Sequence, residues 1–232
     1  MRAILELMQA RRSSRMPFDP DRRIPPQDLR RILEAARWAP TAHNMQNFQI
    51  IVVDDKALLE TIGRISEAPT EIFLRENYAQ LSFSEAELLR KKTGLLASMF
   101  PPSWLRPGSM PTEAPAGGVM QPCAALLLVI YDARKRAPAS EGDMLGMMSL
   151  GCVMQNIWLM AEARGIGMQI LSAFSAPDAE SELRFLLAIP GEIRIAFACR
   201  LGYPSAAASE HLRVRRDIED AVHLNRYGAK FA

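Results

Sequence analysis

The sequence predicts an α+β sandwich, in which helices cover a small sheet. Three observations point to it. Strand-like runs are few, at residues 48–53, 124–131, 168–173 and 192–201. They are short, apolar and rich in branched side chains, as a buried pleated sheet requires. Helical periodicities surround them on both sides in the chain. The third observation is the run at 143–165. It is apolar nearly all round through Met144, Leu145, Met147, Met148, Leu150, Val153, Met154, Ile157, Trp158, Leu159 and Met160.

The first helix is expected at 3–10, where Ile4, Leu5, Leu7 and Met8 recur at helical spacing. It runs into a basic stretch and then Met16-Pro17, where proline discourages continuation. Pro25 and Pro26 introduce a second helix at 27–38, with Leu29, Ile32, Leu33 and Ala36 on its buried face. Residues 39–44 stop it, and 48–53 follow as a core strand. Asp54-Asp55 opens a helix carrying Leu58, Leu59 and Ile62, and a further helix is expected near 84–99. After it comes a stretch bearing Pro101, Pro102, Pro107, Pro111 and Pro115. A long connection of this kind inside a compact domain is usually either a functional lid or disordered. Residues 124–131 make a buried strand.

The central helix follows. A helix apolar on every face is either buried in a core or spans a membrane. Gln155 and Asn156 interrupt this one, and it falls short of the ~18 unbroken apolar residues that a span needs. It reads as a core helix with Asp143 as N-cap and Gly165 as left-handed C-terminal cap. Gly146, Gly151 and Cys152 leave flat patches where another backbone, including a second subunit's, can approach. A strand at 168–173, a helix at 178–188, a strand at 192–201 and a short helical stretch near 218–224 complete the chain.

The 232 residues contain no Gly/Ser linker, repeat or abrupt composition shift, so a single domain over 1–232 is expected, with a lid or variable insertion at about 78–118 and a C-terminal arm at about 205–232. A net charge of +2 argues against a broad nucleic-acid-binding face. Cys123, Cys152 and Cys199 are far apart and set in apolar runs, which reads as reduced buried thiols without a disulfide or metal site. With no signal-peptide pattern, the expectation is a cytoplasmic protein without a membrane partner.

Three stretches carry polar chemistry. Arg11-Arg12-Ser13-Ser14-Arg15 interleaves guanidiniums with hydroxyls, which suits a phosphate, though a solvated basic turn has the same composition. Arg213-Val214-Arg215-Arg216 has the same two readings. From Ala39 to Gln46, a helix end and a turn gather short polar side chains before a strand, as a planar hydrogen-bonding ligand requires; a self-satisfied capped loop is the alternative. Ser, His and Cys form no nucleophile motif, and His43, His211 and His223 lack metal-ligand spacing.

Together these stretches resemble the nitroreductase superfamily of FMN-dependent oxidoreductases. The resemblance rests on the Arg-Arg-Ser-x-Arg box, Ala39-Pro40-Thr41 leading to Asn44-x-Gln46, Gly165-Ile166-Gly167, Gly202-Tyr203-Pro204, and the second basic box followed by 217–228. It is lost between about 68 and 118. It implies a small, mostly antiparallel sheet covered by helices and an embracing homodimer with FMN at the interface. By position, Arg11, Arg12, Ser13 and Arg15 would hold the flavin's phosphate, ribityl chain and pyrimidine edge, and Arg213 and Arg215 would close over the phosphate. Pro40, Thr41, Ala42, Asn44 and Gln46 would approach from the other subunit, and Ile170, Leu171 and Ser172 would lie along the dimethylbenzene and N5 side. Many members have Pro-Trp where this chain has Asn47-Phe48.

The function implied is transfer of electrons from NADH or NADPH through flavin N5 to a flat electron-poor acceptor such as a nitroaromatic or quinone. Such chemistry asks for no protein nucleophile, so no catalytic side chain is assigned. Arg15 would stabilise the anionic reduced flavin. Phe100, Trp104, Leu105 and Met110 would line the acceptor lid. Reductive dehalogenation and dehydrogenation are alternatives on the same fold, and a non-enzymatic nucleotide-binding module is an alternative of another class.

Overall fold

The computed structural model describes residues 4–14, 17–65, 120–171, 174, 176–204, 215 and 217–230. The chain divides into two units, Met1–Glu67 with Gly117–Ala208 and Ala68–Ala116 with Ser209–Ala232.

The first unit is built on four strands: β1 Gln49–Val53, β2 Ala125–Asp132, β3 Gly167–Leu171 and β4 Ile193–Gly202. Their spatial order is β1-β2-β4-β3, and every neighbouring pair is antiparallel. Around them lie α1 Ile4–Ala10, α2 Pro26–Arg37, α3 Lys56–Gly63, α4 Met144–Ala163 and α5 Pro177–Leu186. The predicted α+β class is therefore the observed one, and each of these elements lies where the sequence places it, to within a residue or two at most ends.

β2 explains the layering. Leu126, Leu128 and Ile130 point into a core with Leu59 and Ile62 of α3 and Leu183 of α5. Ala125, Leu127 and Val129 alternate into a second core with Ile32 and Ala36 of α2 and Val153, Ile157 and Ala161 of α4. A strand buried on both faces needs no polar alternation, which is why its sequence is continuously apolar. Between Val129 and Ile130 the register against β4 slips by one residue, opposing Val129 to Phe197 and Ile130 to Ile195. That bulge lets Ile195 and Ala198 share a face although they are three apart.

α4 departs from the expectation of burial all round. Its sheet-facing side holds Leu150, Val153, Ile157 and Ala161, yet Met144, Met147 and Met148 are 66%, 48% and 60% exposed. Among the described residues it is also the one helix long and apolar enough to cross a membrane by composition. Asn156 Nδ2 donates to Ala35 O at 2.9 Å, and Arg164 pairs with Asp28 at 2.7 Å, fastening α4 along α2. The C-terminal cap is as expected: Gly165 is left-handed at φ 67°, and Ile166 N–H reaches back to Ala161 O at 2.9 Å. The N-cap is not. Asp143 is itself left-handed at φ 58°; its carboxylate lies against Gly146 and accepts from Ala137 N–H but from no helix N–H, and Ser140 Oγ accepts from Leu145 N–H at 3.1 Å. α1 forms as predicted but buries none of its apolar face, with Ile4 and Leu5 73% and 64% exposed.

In the second unit, the helix expected at 218–224 shortens to the 3-10 turn Ile218–Asp220. Asn225, at φ 63°, reverses the chain, so Leu224 N–H donates to Ala229 O. The helix expected at 84–99 and the lid at 78–118 lie outside the described residues, as do residues 205–214, 216, 231 and 232 of the arm.

The two glycine motifs acquire a packing reason here. Gly167 and Gly202 face each other across β3 and β4, and Phe18 lies against both. A Cβ on Gly202 would fall 2.6 Å from Phe18 Cβ, and one on Gly167 would fall 2.7 Å from Phe18 Cε1 and 2.8 Å from Ser14 Oγ. Gly202→Ala is therefore expected to cost about 1–3 kcal/mol through overpacking, read as a lower denaturant midpoint. An unchanged midpoint would show that Phe18 has room to retreat.

Candidate functional site

After α1 the chain rounds the β3 edge of the sheet. Ser13 bridges Met168 in parallel, and Ser14 N–H donates to Met168 O at 2.9 Å. Farther on, Phe18 bridges Pro204 and Asp19 N–H donates to Tyr203 O at 2.9 Å. The basic box thus covers an edge whose backbone groups would otherwise be available for pairing.

Two side chains from opposite faces of the sheet reach this box. On the α4 face, Trp158 Nε1–H donates to Arg12 O at 2.9 Å, and the Arg11 guanidinium lies 4.2 Å from the centre of the Trp158 ring. Such a contact orients a cation at modest energy, about 0.5–2 kcal/mol. On the other face, Arg200 of β4 is fully buried. Its Nε donates to Gln169 Oε1 at 2.6 Å, Nη1 to Pro122 O at 3.1 Å, and Nη2 to Ser14 O at 3.3 Å and Gln121 Oε1 at 3.5 Å. The guanidinium also stacks 4.4 Å from the Phe18 ring centre. Burial pulls its pKa down to about 10, which leaves it charged at neutral pH. Burial also pushes the neighbouring Cys123 thiol up to about 11, against the pull of Arg200, so that thiol stays protonated.

The second stretch forms a strained turn over the N-terminal half of α4. Ala42 N–H donates to Ser149 Oγ at 2.9 Å, which donates in turn to Leu145 O at 2.7 Å. Thr41 Oγ1 accepts from Gln46 N–H at 3.1 Å, and Gln46 Nε2 donates to Asn44 Oδ1 at 3.1 Å. His43, Asn44 and Gln46 have φ of 51°, 53° and 46°. Non-glycine residues tolerate that region at a cost, and clusters of them gather at ligand sites. Asn47 Nδ2 is buried without a partner beside a cavity of about 280 Å³ lined by Gln46, Phe48, Tyr131 and Lys135. An orphaned donor of this kind costs about 1–3 kcal/mol, a burden that proline at this position would not carry.

Of the residues singled out by sequence, Arg11, Arg12 and Ser13 thus come together at the β3 edge, with Ile170 on the same strand. Leu171 belongs to the α3/α5-side core, so its side chain supports the strand from within. Pro40, Thr41, Ala42, Asn44 and Gln46 form a separate cluster at the entry to β1. Arg215 is exposed in the second unit. Arg15, Ser172, Arg213 and the lid residues Phe100, Trp104, Leu105 and Met110 lie outside the described residues. Sequence reading missed Trp158, Ser149, Gln169 and Arg200.

A cavity of about 540 Å³ opens elsewhere in the first unit, beside Lys56, Leu59, Arg64, Gln121 and Cys123. Asp21, Asp54 and Glu60 also line it, so its cations face carboxylates that would repel a dianion.

The nitroreductase family model matches residues 8–203, a stretch that takes in the basic box, the strained turn and both glycine motifs. The chain belongs to the nitroreductase family. A nitroreductase-family relative from Archaeoglobus fulgidus, provisionally named an NADH dehydrogenase/NAD(P)H nitroreductase, is 26% identical over 227 residues, covering 98% of this chain and 100% of that protein. Among solved structures, the nitroreductase with bound FMN from Bacteroides fragilis superposes with a TM-score of 0.61 at 19% identity, covering 93% of this chain and 96% of the other. The FMN-dependent nitroreductase from Clostridium difficile gives 0.59 at 18% identity, over 97% and 100%. These likenesses bear out the nitroreductase fold.

Proposed function

We propose that this chain is an FMN-dependent oxidoreductase that takes electrons from NADH or NADPH and passes them to a flat electron-poor acceptor, a nitroaromatic or a quinone. Family membership supports the class, and the relatives' names supply the cofactor and the donor. The observation that carries the assignment to particular residues is the backbone anchoring of the box. Arg12 O, Ser14 N–H and Ser14 O are all held by partners outside it. Two guanidiniums and a hydroxyl are thereby presented along one sheet edge, a donor set that fits a phosphate monoester.

When bound, FMN supplies the hydride-accepting N5 and the electron chemistry. The chain's own part is to bind and orient. Arg11, Arg12, Ser13 and Arg15 would hold the phosphate, ribityl and pyrimidine groups, and Arg213 and Arg215 would add charge. Ile170 and Ser172 would lie beside the ring. Thr41, Asn44 and Gln46 offer hydrogen bonds to the ring's polar edge, and the bonds to Ser149 and Thr41 keep that turn in its strained form. Pro40 and Ala42 hold its entry.

Within one chain the two clusters are not neighbours. The turn is fastened to Ser149 and the box to Trp158, nine residues apart on α4, or about 13 Å at 1.5 Å per residue. Two α4 helices packed antiparallel would bring the turn of one chain to the box of the other. They would also cover Met144, Met147 and Met148, whose exposure is otherwise unexplained. The site is thus shared in a homodimer. Reduced thiols accord with a cytoplasmic location.

The purified protein should be yellow, or become so on reconstitution with FMN. Its flavin absorbance should bleach on anaerobic addition of NADH or NADPH and return with the acceptor. Arg11→Ala should weaken FMN binding about tenfold, roughly 1.4 kcal/mol. A colourless protein that takes up no FMN would sink the proposal. Separately, the flavin-loaded protein should sediment as a dimer, with a melting midpoint that rises with protein concentration. A stable monomer at micromolar concentration would contradict the shared site.

A further inference from the structure

We infer that Arg200 is a positioning residue for the phosphate grip: by holding the Ser14 carbonyl from inside the sheet, it sets how strongly the box prefers a phosphorylated flavin. This rests on the function proposed above and goes beyond the residues that touch the ligand.

The placement of Arg200 is unusual for a charged side chain. β4 is a central strand covered on both faces, and burying a guanidinium there costs several kcal/mol unless its donors are matched. The matching groups come from separate parts of the chain. Gln169 stands opposite it on β3, Pro122 and Gln121 lie on the segment entering β2, and Ser14 belongs to the basic box. The planar fork fixes these acceptors relative to one another, as a lysine ammonium could not. Ser14 is consequently clamped at both ends of its backbone, its N–H on Met168 O and its C=O on Arg200. Ser13, immediately before it, inherits its direction from that clamp. The charge adds to the effect, because a buried cation behind the box attracts a dianion through a medium less polarisable than water. Phe18, stacked on the guanidinium and pressed against Gly167 and Gly202, covers one side of the cluster.

A merely structural role would weaken all flavin binding alike, whereas positioning of the phosphate grip acts on the phosphate. The test is therefore the ratio of FMN to riboflavin affinity, titrated on flavin-free protein below its melting temperature, with the midpoint of the flavin-free protein recorded alongside. Arg200→Met is expected to lower that ratio about tenfold and Arg200→Lys, which keeps the charge, to lower it less. Because Arg200→Met empties a fully buried position, Gln169→Leu is run in parallel. It alters a half-buried residue of the edge strand, leaves Arg200 in place and frees its guanidinium to turn; the ratio should fall about threefold. A parent that prefers FMN, with the ratio unchanged in every folded variant including Gln169→Leu, overturns the inference alone, even if melting points fall. A parent that binds riboflavin as tightly as FMN overturns it together with the phosphate grip on which it rests.

Discussion

The arrangement depends on one close approach, that of Ser13, Ser14 and Phe18 to the glycine-flattened edge of the sheet. Phe18 can lie on β3 and β4 only because neither Gly167 nor Gly202 carries a side chain. That contact brings Ser14 within reach of Arg200 and Met168, and it fixes where the guanidiniums of the box begin. The need at both glycines is for space rather than for unusual dihedrals, in contrast to Gly165, whose φ of 67° ends α4.

A second constraint is incompleteness. A globular chain rarely leaves several methionines of its central helix exposed, and α1 leaves Ile4, Leu5 and Met8 exposed as well. Both helices are nonetheless well fastened, α4 by Asn156 and Arg164 and the box after α1 by Trp158. Their exposed faces therefore suit a second copy. Such a copy would also reconcile two polar clusters that stand at different points along one helix.

Much of this was legible in the sequence, and for identifiable reasons. β2 could be read because a strand buried on both faces is continuously apolar, and α4 because its run is too long for a strand. The basic box and the turn at 40–46 were legible as chemistry because their residue types are costly or awkward elsewhere. Other features were hidden by geometry. The cap of α4 passed from Asp143 to Ser140 because Asp143 is left-handed and its carboxylate accepts from Ala137 N–H rather than from a helix N–H, and sequence does not report that dihedral. The exposed face of α4 was hidden because apolarity on all sides does not say which side a partner covers. Arg200 was hidden because a single arginine in a strand is usually solvated. The available signal was its setting between Cys199 and Leu201 in a strand with no exposed face, where a charge must find partners inside.

The central claim is that flavin lies between the box at 11–15 and the turn at 40–46. Amide hydrogen exchange of the protein with and without FMN tests it most directly, since both segments are backbone features whose protection should rise together on binding. FMN is predicted to slow exchange in peptides covering 11–15 and 40–46. Protection confined to the cavity beside 54–64 and 120–124, with the box and the turn unchanged, would contradict it.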